Sequence, residues 1–321
     1  MHYRRLGNSG LKVSEVCLGS WLTYGNATED QTAEACIDRA YELGINFFDT
    51  ANVYARGKSE EVVGRSLRKF KRDSYVLATK VFFPMSDGPL PNNKGLSRKH
   101  IMEQCEASLK RLGMDYIDIY QCHRFDPETP LYETLRALDD LVSQGKVLYI
   151  GFSQWTAPQI AEAVKFQDQH NLDRFVSSQP AYNMLNRDIE KAVIGVCERE
   201  GIGQIVYSPL AQGILTGKYK PNEPIPEDSR AADPKQNAFL KVEDGKLAEQ
   251  DKLEKVEKLL PIAANLRLSM PQLALAWCLR QRNVSSVIIG ASRPSQVDDN
   301  AGAAGVTLNK ETIQTIEDIL K

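Results

Sequence analysis

The sequence predicts an α/β fold: a (β/α)8 TIM barrel with an N-terminal β-hairpin and an extra C-terminal helix. Three observations predict it. Short apolar runs alternate with amphipathic, charge-bearing stretches along the whole chain, and such alternation implies parallel strands joined by crossovers. There are eight such units in 321 residues, which favours a closed barrel over an open sheet. No Gly-x-Gly-x-x-Gly follows an early strand, which weakens the open dinucleotide-binding alternative.

The elements follow in order. Tyr3–Leu6 and Leu11–Val13 read as short strands around a Gly7-Asn8-Ser9-Gly10 turn. The barrel runs are Val16–Leu18, Asn46–Phe48, Tyr75–Thr79, Ile117–Tyr120, Val147–Gly151, Phe175–Ser178, Ile205–Tyr207 and Val287–Ile289. Helical stretches are expected at about 29–43, 58–69, 98–111, 130–143, 156–170 and 188–200. In the first of them Ala33, Ile37, Ala40 and Tyr41 recur at helical spacing. Thr129-Pro130 and Thr156-Ala157-Pro158 resemble helix starts, a capping hydroxyl near a proline. Residues about 211–246, between strands seven and eight, are rich in Pro, Gly, Asp and Lys and carry little periodicity. That is too long for a passive connection and reads as a functional loop. Helices are expected at about 247–266 and 270–282, and a last one at about 309–320. With no linker, low-complexity tract or repeat, 1–321 reads as a single domain.

Composition narrows the function classes. Hydrophobic residues make up 42% and charged residues 26%, with a formal net charge of −2. That balance gives no electrostatic footprint for nucleic acid or an anionic membrane. No apolar run is long enough to span a bilayer, and Met1–Gly7 lacks the apolar region of a signal peptide. The cysteines Cys17, Cys36, Cys105, Cys122, Cys197 and Cys278 are scattered, with neither a C-x-x-C pair nor a histidine at zinc spacing. They fit a reducing cytosol and a cytoplasmic protein, and no metal site is expected.

A parallel barrel builds its active site at the C-terminal strand ends. Strand two leads into Asp49, with Tyr54 five residues beyond; strand three leads into Lys80 and strand four into His123. Each has an ordinary reading by itself: a cap, a solvated cation, a packing ring, a structural imidazole. Together they would make a proton-donating site. The phenol gives a proton to a developing alkoxide, the ammonium lowers the phenol's pKa, the carboxylate holds the ammonium, and the imidazole orients a carbonyl or joins the relay.

Longer stretches carry a resemblance. Gly44-Ile45-Asn46-Phe47-Phe48-Asp49-Thr50-Ala51-Asn52-Val53-Tyr54, with Gly57-Lys58-Ser59-Glu60, is similar to the signature of the aldo-keto reductase superfamily. So are Ala78-Thr79-Lys80, Tyr207-Ser208-Pro209-Leu210-Ala211 with Gly213, and Gly290-Ala291-Ser292 with Gln296 and Asn300. Within it, Val53–Lys58, Gly95–Ile101, Pro271–Arg280 and Val284–Val287 resemble the branch that contains the potassium-channel β-subunits. The resemblance implies NADPH-dependent reduction of aldehydes or ketones, with Tyr54 as general acid, Asp49 and Lys80 as its tuning pair and His123 orienting the carbonyl. The animal channel subunits lack this histidine, so its presence favours a working reductase over the alternative, a redox-sensing regulatory subunit.

The resemblance also implies a cofactor site for NADPH/NADP+, with NADH less favoured. Ser153, Gln154 and Gln179 would meet the nicotinamide amide, Tyr207 would stack on the ring, and Gly19 and Trp21 would lie near its ribose. Ser208, Pro209, Leu210, Ala211 and Gly213 would offer backbone to the pyrophosphate, with Lys218 and Arg230 closing over it. Gly290, Ser292 and Arg293 would take the 2′-phosphate at a helix start, with Gln296, Asp299 and Asn300 at the adenine. Trp21, Tyr24, Phe82, Phe83 and Trp155 are candidate contacts for a small carbonyl substrate. A homo-oligomer, a tetramer or higher, is a possible assembly.

Overall fold

The computed structural model describes residues 1–25, 28–86, 88, 90–234 and 236–321. The chain begins with the hairpin of β1 (Tyr3–Arg5) and β2 (Lys12–Ser14), paired antiparallel. Next come β3 (Val16–Gly19), α1 (Asp30–Glu42), β4 (Phe47–Asp49), α2 (Lys58–Leu67), β5 (Val76–Val81), α3 (Arg98–Leu112), β6 (Ile117–Cys122), α4 (Leu131–Ser143), β7 (Val147–Ser153), α5 (Ala157–Gln169), β8 (Phe175–Gln179), α6 (Val193–Glu200) and β9 (Gly203–Val206). A two-stranded ribbon of β10 (Val242–Glu243) and β11 (Lys246–Leu247) precedes α7 (Gln250–Asn265), α8 (Met270–Leu279), β12 (Val284–Ile289), α9 (Pro294–Ala301) and α10 (Lys310–Leu320). The strands β12-β3-β4-β5-β6-β7-β8-β9 close into one parallel barrel, as the sequence predicts.

Parallel barrel strands are covered on both faces, so their residues read as continuous apolar runs rather than alternating ones. Every residue of β5, β6 and β12 is buried. The barrel interior is filled by Cys17, Phe47, Val76, Ala78, Ile119, Ile205 and Ile288, and Leu6 and Val13 of the hairpin belong to the same cluster. The hairpin therefore plugs the N-terminal end of the barrel, which leaves the opposite end for chemistry.

One expectation needs correction. The helix expected over 188–200 starts at Val193; a 3-10 turn occupies Asp188–Lys191 and Ala192 breaks the run at φ −155°. An ion network pins that turn: Glu190 accepts from Arg187 at 2.7 Å and Arg280 at 3.2 Å, and Arg187 also bonds Glu317. The aperiodic stretch 211–246 carries short local structure. It holds a 3-10 turn at Ala211–Thr216 and the β10–β11 ribbon, whose Asp244-Gly245 turn has φ of 48° and 73°. Left-handed Asp-Gly is the favoured chemistry of a two-residue hairpin turn.

Candidate active site

At the C-terminal end of the barrel lies a cavity of about 1340 Å³. Its base is a buried polar chain built from neighbouring strands. Lys80 on β5 is fully buried. Its Nζ donates to Asp49 Oδ1 at 2.6 Å, to the Thr50 carbonyl at 2.7 Å and to the Tyr54 hydroxyl at 3.4 Å. Gln179 at the end of β8 donates to the other Asp49 oxygen at 2.8 Å, and Ser153 donates to the Gln179 carbonyl at 2.7 Å. Lys80 thus stands behind Asp49 and Tyr54, which line the cavity themselves.

The turn that presents Tyr54 is unusual. Ala55 and Arg56 have φ of 47° and 54°, and Gly57 follows at 89°. Left-handed conformations are strained for residues with a Cβ and cluster at functional sites. Only Gly57 adopts one freely, and α2 starts directly after it.

Electrostatics separate the groups. Burial disfavours the Lys80 ammonium, but Asp49 and Tyr54 beside it outweigh burial and raise its pKa. Burial also raises the Tyr54 phenol, and Lys80 offsets that only in part. Lys80 lowers the phenol, as the sequence reading expects, but burial outweighs it, so in this site Tyr54 stays a protonated donor. His123, at the end of β6, is buried, and its ring meets Tyr54 edge-on with centroids 5.7 Å apart. Burial first, then the cations Lys80 and Arg124, hold His123 well below its usual pKa. It is a neutral imidazole whose buried Nδ1 has no partner among the described residues.

The other side of the cavity is lined by the residues expected to hold a cofactor. Gly19, Trp21, Ser153, Gln179, Tyr207, Ser208–Ala211, Gly213, Lys218, Arg230, Gly290, Ser292, Arg293, Gln296, Asp299 and Asn300 all border it. After β9 the backbone turns left-handed at Ser208 (51°), Ala211 (48°), Gln212 (61°) and Gly213 (96°). Successive turns of this kind form the concave amide nests that bind anions. Lys218 and Arg293 make no side-chain hydrogen bond or ion pair with a carboxylate among the described residues. Burial lowers Lys218, and Arg293 and Arg230 lower it further against the pull of Asp228. Burial pushes Arg230 down to about 10, and its Nη2 has no partner among the described residues. Three cations converging on one wall fit a polyanionic ligand.

Some expected residues stand elsewhere. Gln154 is exposed, and its amide bonds the Tyr207 hydroxyl rather than facing the cavity. Asp299 and Gln296 border the cavity but are engaged locally: both oxygens of Asp299 accept, from Ser269 just before α8 at 3.1 Å and from Gln272 of α8 at 3.2 Å. Gln296 accepts from the Ser292 N–H at 2.8 Å. Trp155 is buried against Phe125, Phe152 and Phe175 with centroids 5.0, 5.1 and 5.5 Å away. Phe82 packs against the core. Neither ring is part of the cavity wall, whereas Trp21, Tyr24 and Phe83 are. Sequence reasoning missed Asn183, Arg124 and Phe239, which also line it. Asn183 donates to the Ser208 carbonyl at 3.0 Å, and Phe239 meets Trp21 at 5.2 Å. Arg124 stands beside His123 and was open to the strand-end rule. Phe239 lies in an aperiodic segment, where no pattern points inward.

Comparison with known proteins completes the description. The sequence model of the Aldo/keto reductase family matches residues 15–321. A protein of Arabidopsis thaliana described as a probable voltage-gated potassium channel subunit beta is 43% identical, covering 100% of this chain and 97% of its own. A protein of Oryza sativa subsp. japonica with the same description is 41% identical, over 100% and 97%. A putative voltage-gated potassium channel subunit beta of Schizosaccharomyces pombe is 43% identical, over 99% and 93%.

Proposed function

Because the chain belongs to the aldo/keto reductase family, we propose that it reduces aldehydes and ketones to alcohols with NADPH. The observation that carries this reading is Lys80 bonded to both Asp49 and Tyr54 at the base of the cavity. Bound NADPH supplies a hydride to the carbonyl carbon. The protein's own residues handle the oxygen. His123, neutral, can donate one hydrogen bond to it and hold it beside Tyr54. Charge developing on that oxygen is stabilised by donors already in place. Tyr54 gives up its proton, and the Lys80 ammonium at 3.4 Å stabilises the phenolate left behind. Asp49 keeps Lys80 charged and fixed, while the aromatic side chains of Trp21 and Phe83 shield the site from water.

Lys218 and Arg230 would hold the diphosphate over the left-handed turns at Ser208–Gly213, and Arg293 would meet the 2′-phosphate that distinguishes NADPH from NADH. Arg293 stands just before Pro294, which opens α9, and a helix N-terminus favours an anion. The test is a panel of aldehydes and ketones assayed with NADPH and with NADH. Absence of turnover with every carbonyl compound and both cofactors would rule the reading out.

The relatives, described as potassium channel subunits, favour a second reading, a regulatory subunit; we propose that in it slow reduction would report redox state. Such a protein could assemble as a homo-oligomer. Fast steady-state turnover of a simple aldehyde separates the two. No helix of the described residues is long and apolar enough to cross a membrane. All six cysteines are buried and unpaired, which supports a reducing, cytoplasmic setting.

A further inference from the structure

We propose that the carbonyl compounds this chain reduces carry a carboxylate, and that Arg124 selects them. The inference rests on the reductase reading above and adds a substrate class to it. Arg124 lines the cavity beside His123, directly after the end of β6. Its guanidinium lies over the Phe83 ring, 5.4 Å from the centroid. Phe83 meets His123 at 5.1 Å, and His123 meets Tyr54 at 5.7 Å. A group held by Arg124 would therefore sit on the same wall as the proton donor.

What sets Arg124 apart is the partner it lacks. Arg230 on the cofactor wall aside, the other part-buried arginines of this chain bind carboxylates, among them Arg4 with Glu15, Arg72 with Asp118, Arg111 with Glu60 and Arg187 with Glu190. Arg124 forms no ion pair among the described residues. Its one hydrogen bond runs from Nη1 to the carbonyl of its own neighbour, His123, at 2.6 Å. The carboxylate nearest in sequence, Asp126, accepts instead from the Leu96 N–H at 2.7 Å, the Glu128 N–H at 2.9 Å and the Thr129 hydroxyl at 2.7 Å. Proton transfer from Tyr54 does not require this second cation. Its charge is nonetheless felt at the reacting groups, since Arg124 lowers both Tyr54 and His123.

Arg124 is also separate from the cofactor cations. Lys218 feels Arg293 and Arg230, whereas Arg124 acts on Tyr54 and His123. The cavity thus holds two cation sets, one of three for a polyanion and one of a single charge beside the acid. A single guanidinium fork matches a carboxylate in charge and in planar geometry. Phe83 beneath it, with Trp21 and Phe239 elsewhere on the cavity wall, suits a flat apolar body between carbonyl and carboxylate.

The test compares para-carboxybenzaldehyde with its methyl ester, which keeps the ring and the carbonyl and removes the charge. The parent should prefer the acid. In Arg124→Met the acid-to-ester ratio of kcat/KM should fall about ten- to a hundredfold, the worth of a charge-assisted contact. Arg124→Lys should recover part of it. A ratio that Arg124→Met leaves unchanged overturns the inference and leaves the reductase reading standing. A stronger Arg124-dependent preference for para-formylphenyl phosphate also overturns it, because the subsite then belongs to phosphate. Calorimetric titration of the NADP+-loaded protein with benzoate, which has no reducible carbonyl, reads the subsite without turnover. Binding that disappears in Arg124→Met, in a protein that reduces no aldehyde, keeps the anion subsite and removes the reductase reading. Benzoate binding equal in parent and variant removes the subsite.

Discussion

The two sides of the cavity are built on opposite principles. At the ends of β4 and β5, the charged groups already satisfy one another: Lys80 has Asp49, Thr50 and Tyr54, and Asp49 has Lys80 and Gln179. On the side of β9 and β12, Lys218, Arg230 and Arg293 face the cavity with no carboxylate ion pair among the described residues, and the backbone after β9 is left-handed. A satisfied network is rigid and pre-organised, which suits a group that must give a proton at a fixed place. An unsatisfied set of cations is costly until a ligand fills it. The first side is a machine that needs no partner to hold its shape, and the second is a mould. Mutations on the two sides should fail differently.

The largest effect is expected on the satisfied side. Tyr54→Phe keeps the ring and removes the proton donor, so single-turnover reduction should fall about a hundredfold or more, with cofactor affinity near that of the parent. A variant that reduces a poor aldehyde as fast as the parent would mean that another group gives the proton. Lys80→Met should act on stability as well. It leaves Asp49 buried with its cation gone, and breaking a buried pair costs about 3–5 kcal/mol. Urea denaturation measures it. A loss under about 1 kcal/mol, typical of an exposed pair, would show that water reaches Asp49 and that the network is not the rigid element described above.

On the mould side the effect should be smaller and specific to the ligand. Arg293→Ala should weaken NADPH about ten- to a hundredfold, the worth of one charge-assisted contact, and weaken NADH much less. Fluorescence titration of both cofactors reads the difference. Equal weakening would place Arg293 on the shared part of the cofactor. Stability without ligand should hardly change, because Arg293 is exposed and has no ion pair to lose.

The same contrast explains what the sequence made legible. The barrel could be read because parallel strands are buried on both faces and leave unbroken apolar runs. Asp49, Lys80 and His123 could be read because each ends such a run, and Tyr54 because it lies in a recognisable motif. Burial could not be read. It decides that Tyr54 rises despite Lys80 and that His123 falls, and it depends on elements distant in sequence. Trp155 illustrates the same limit: it follows β7 directly, yet packs on Phe125 and Phe175. The β10–β11 ribbon was not read: its one signal is the Asp244-Gly245 pair, and two-residue strands are too short to show alternation. The helix start at Val193 was not legible, because Glu190 is drawn out of the helix by Arg280 and Arg187, the first of them 90 residues away.

The smallest expected effect concerns His123 and tests whether the satisfied side is sealed from solvent charge. The sequence alone treats this imidazole as one that titrates near neutral pH, with a reference value of about 6.5. In the structure burial, Lys80 and Arg124 hold it well below that, so the folded protein keeps it neutral where the unfolded chain takes a proton. The sign follows from linkage. The unfolded state binds more protons below about pH 6.5, so this part of the stability is present above that pH and is lost as pH falls toward the folded value. The loss approaches about 1.4 kcal/mol per pH unit, the slope of one proton. His123→Asn removes the titrating group, and its stability should fall less steeply over this acid range. His100, lowered mainly by burial, still titrates in the variant, so some slope remains. Urea midpoints of parent and variant at a series of pH values from neutral to mildly acidic decide the matter. Parallel curves would mean that His123 protonates as easily folded as unfolded. The imidazole would then exchange between charged and neutral forms, and the pH profile of carbonyl reduction should show its titration near neutrality. A variant curve that is the flatter one requires the reverse: reduction by the parent shows no histidine limb in the neutral range, and His123 assists as a neutral hydrogen-bond donor.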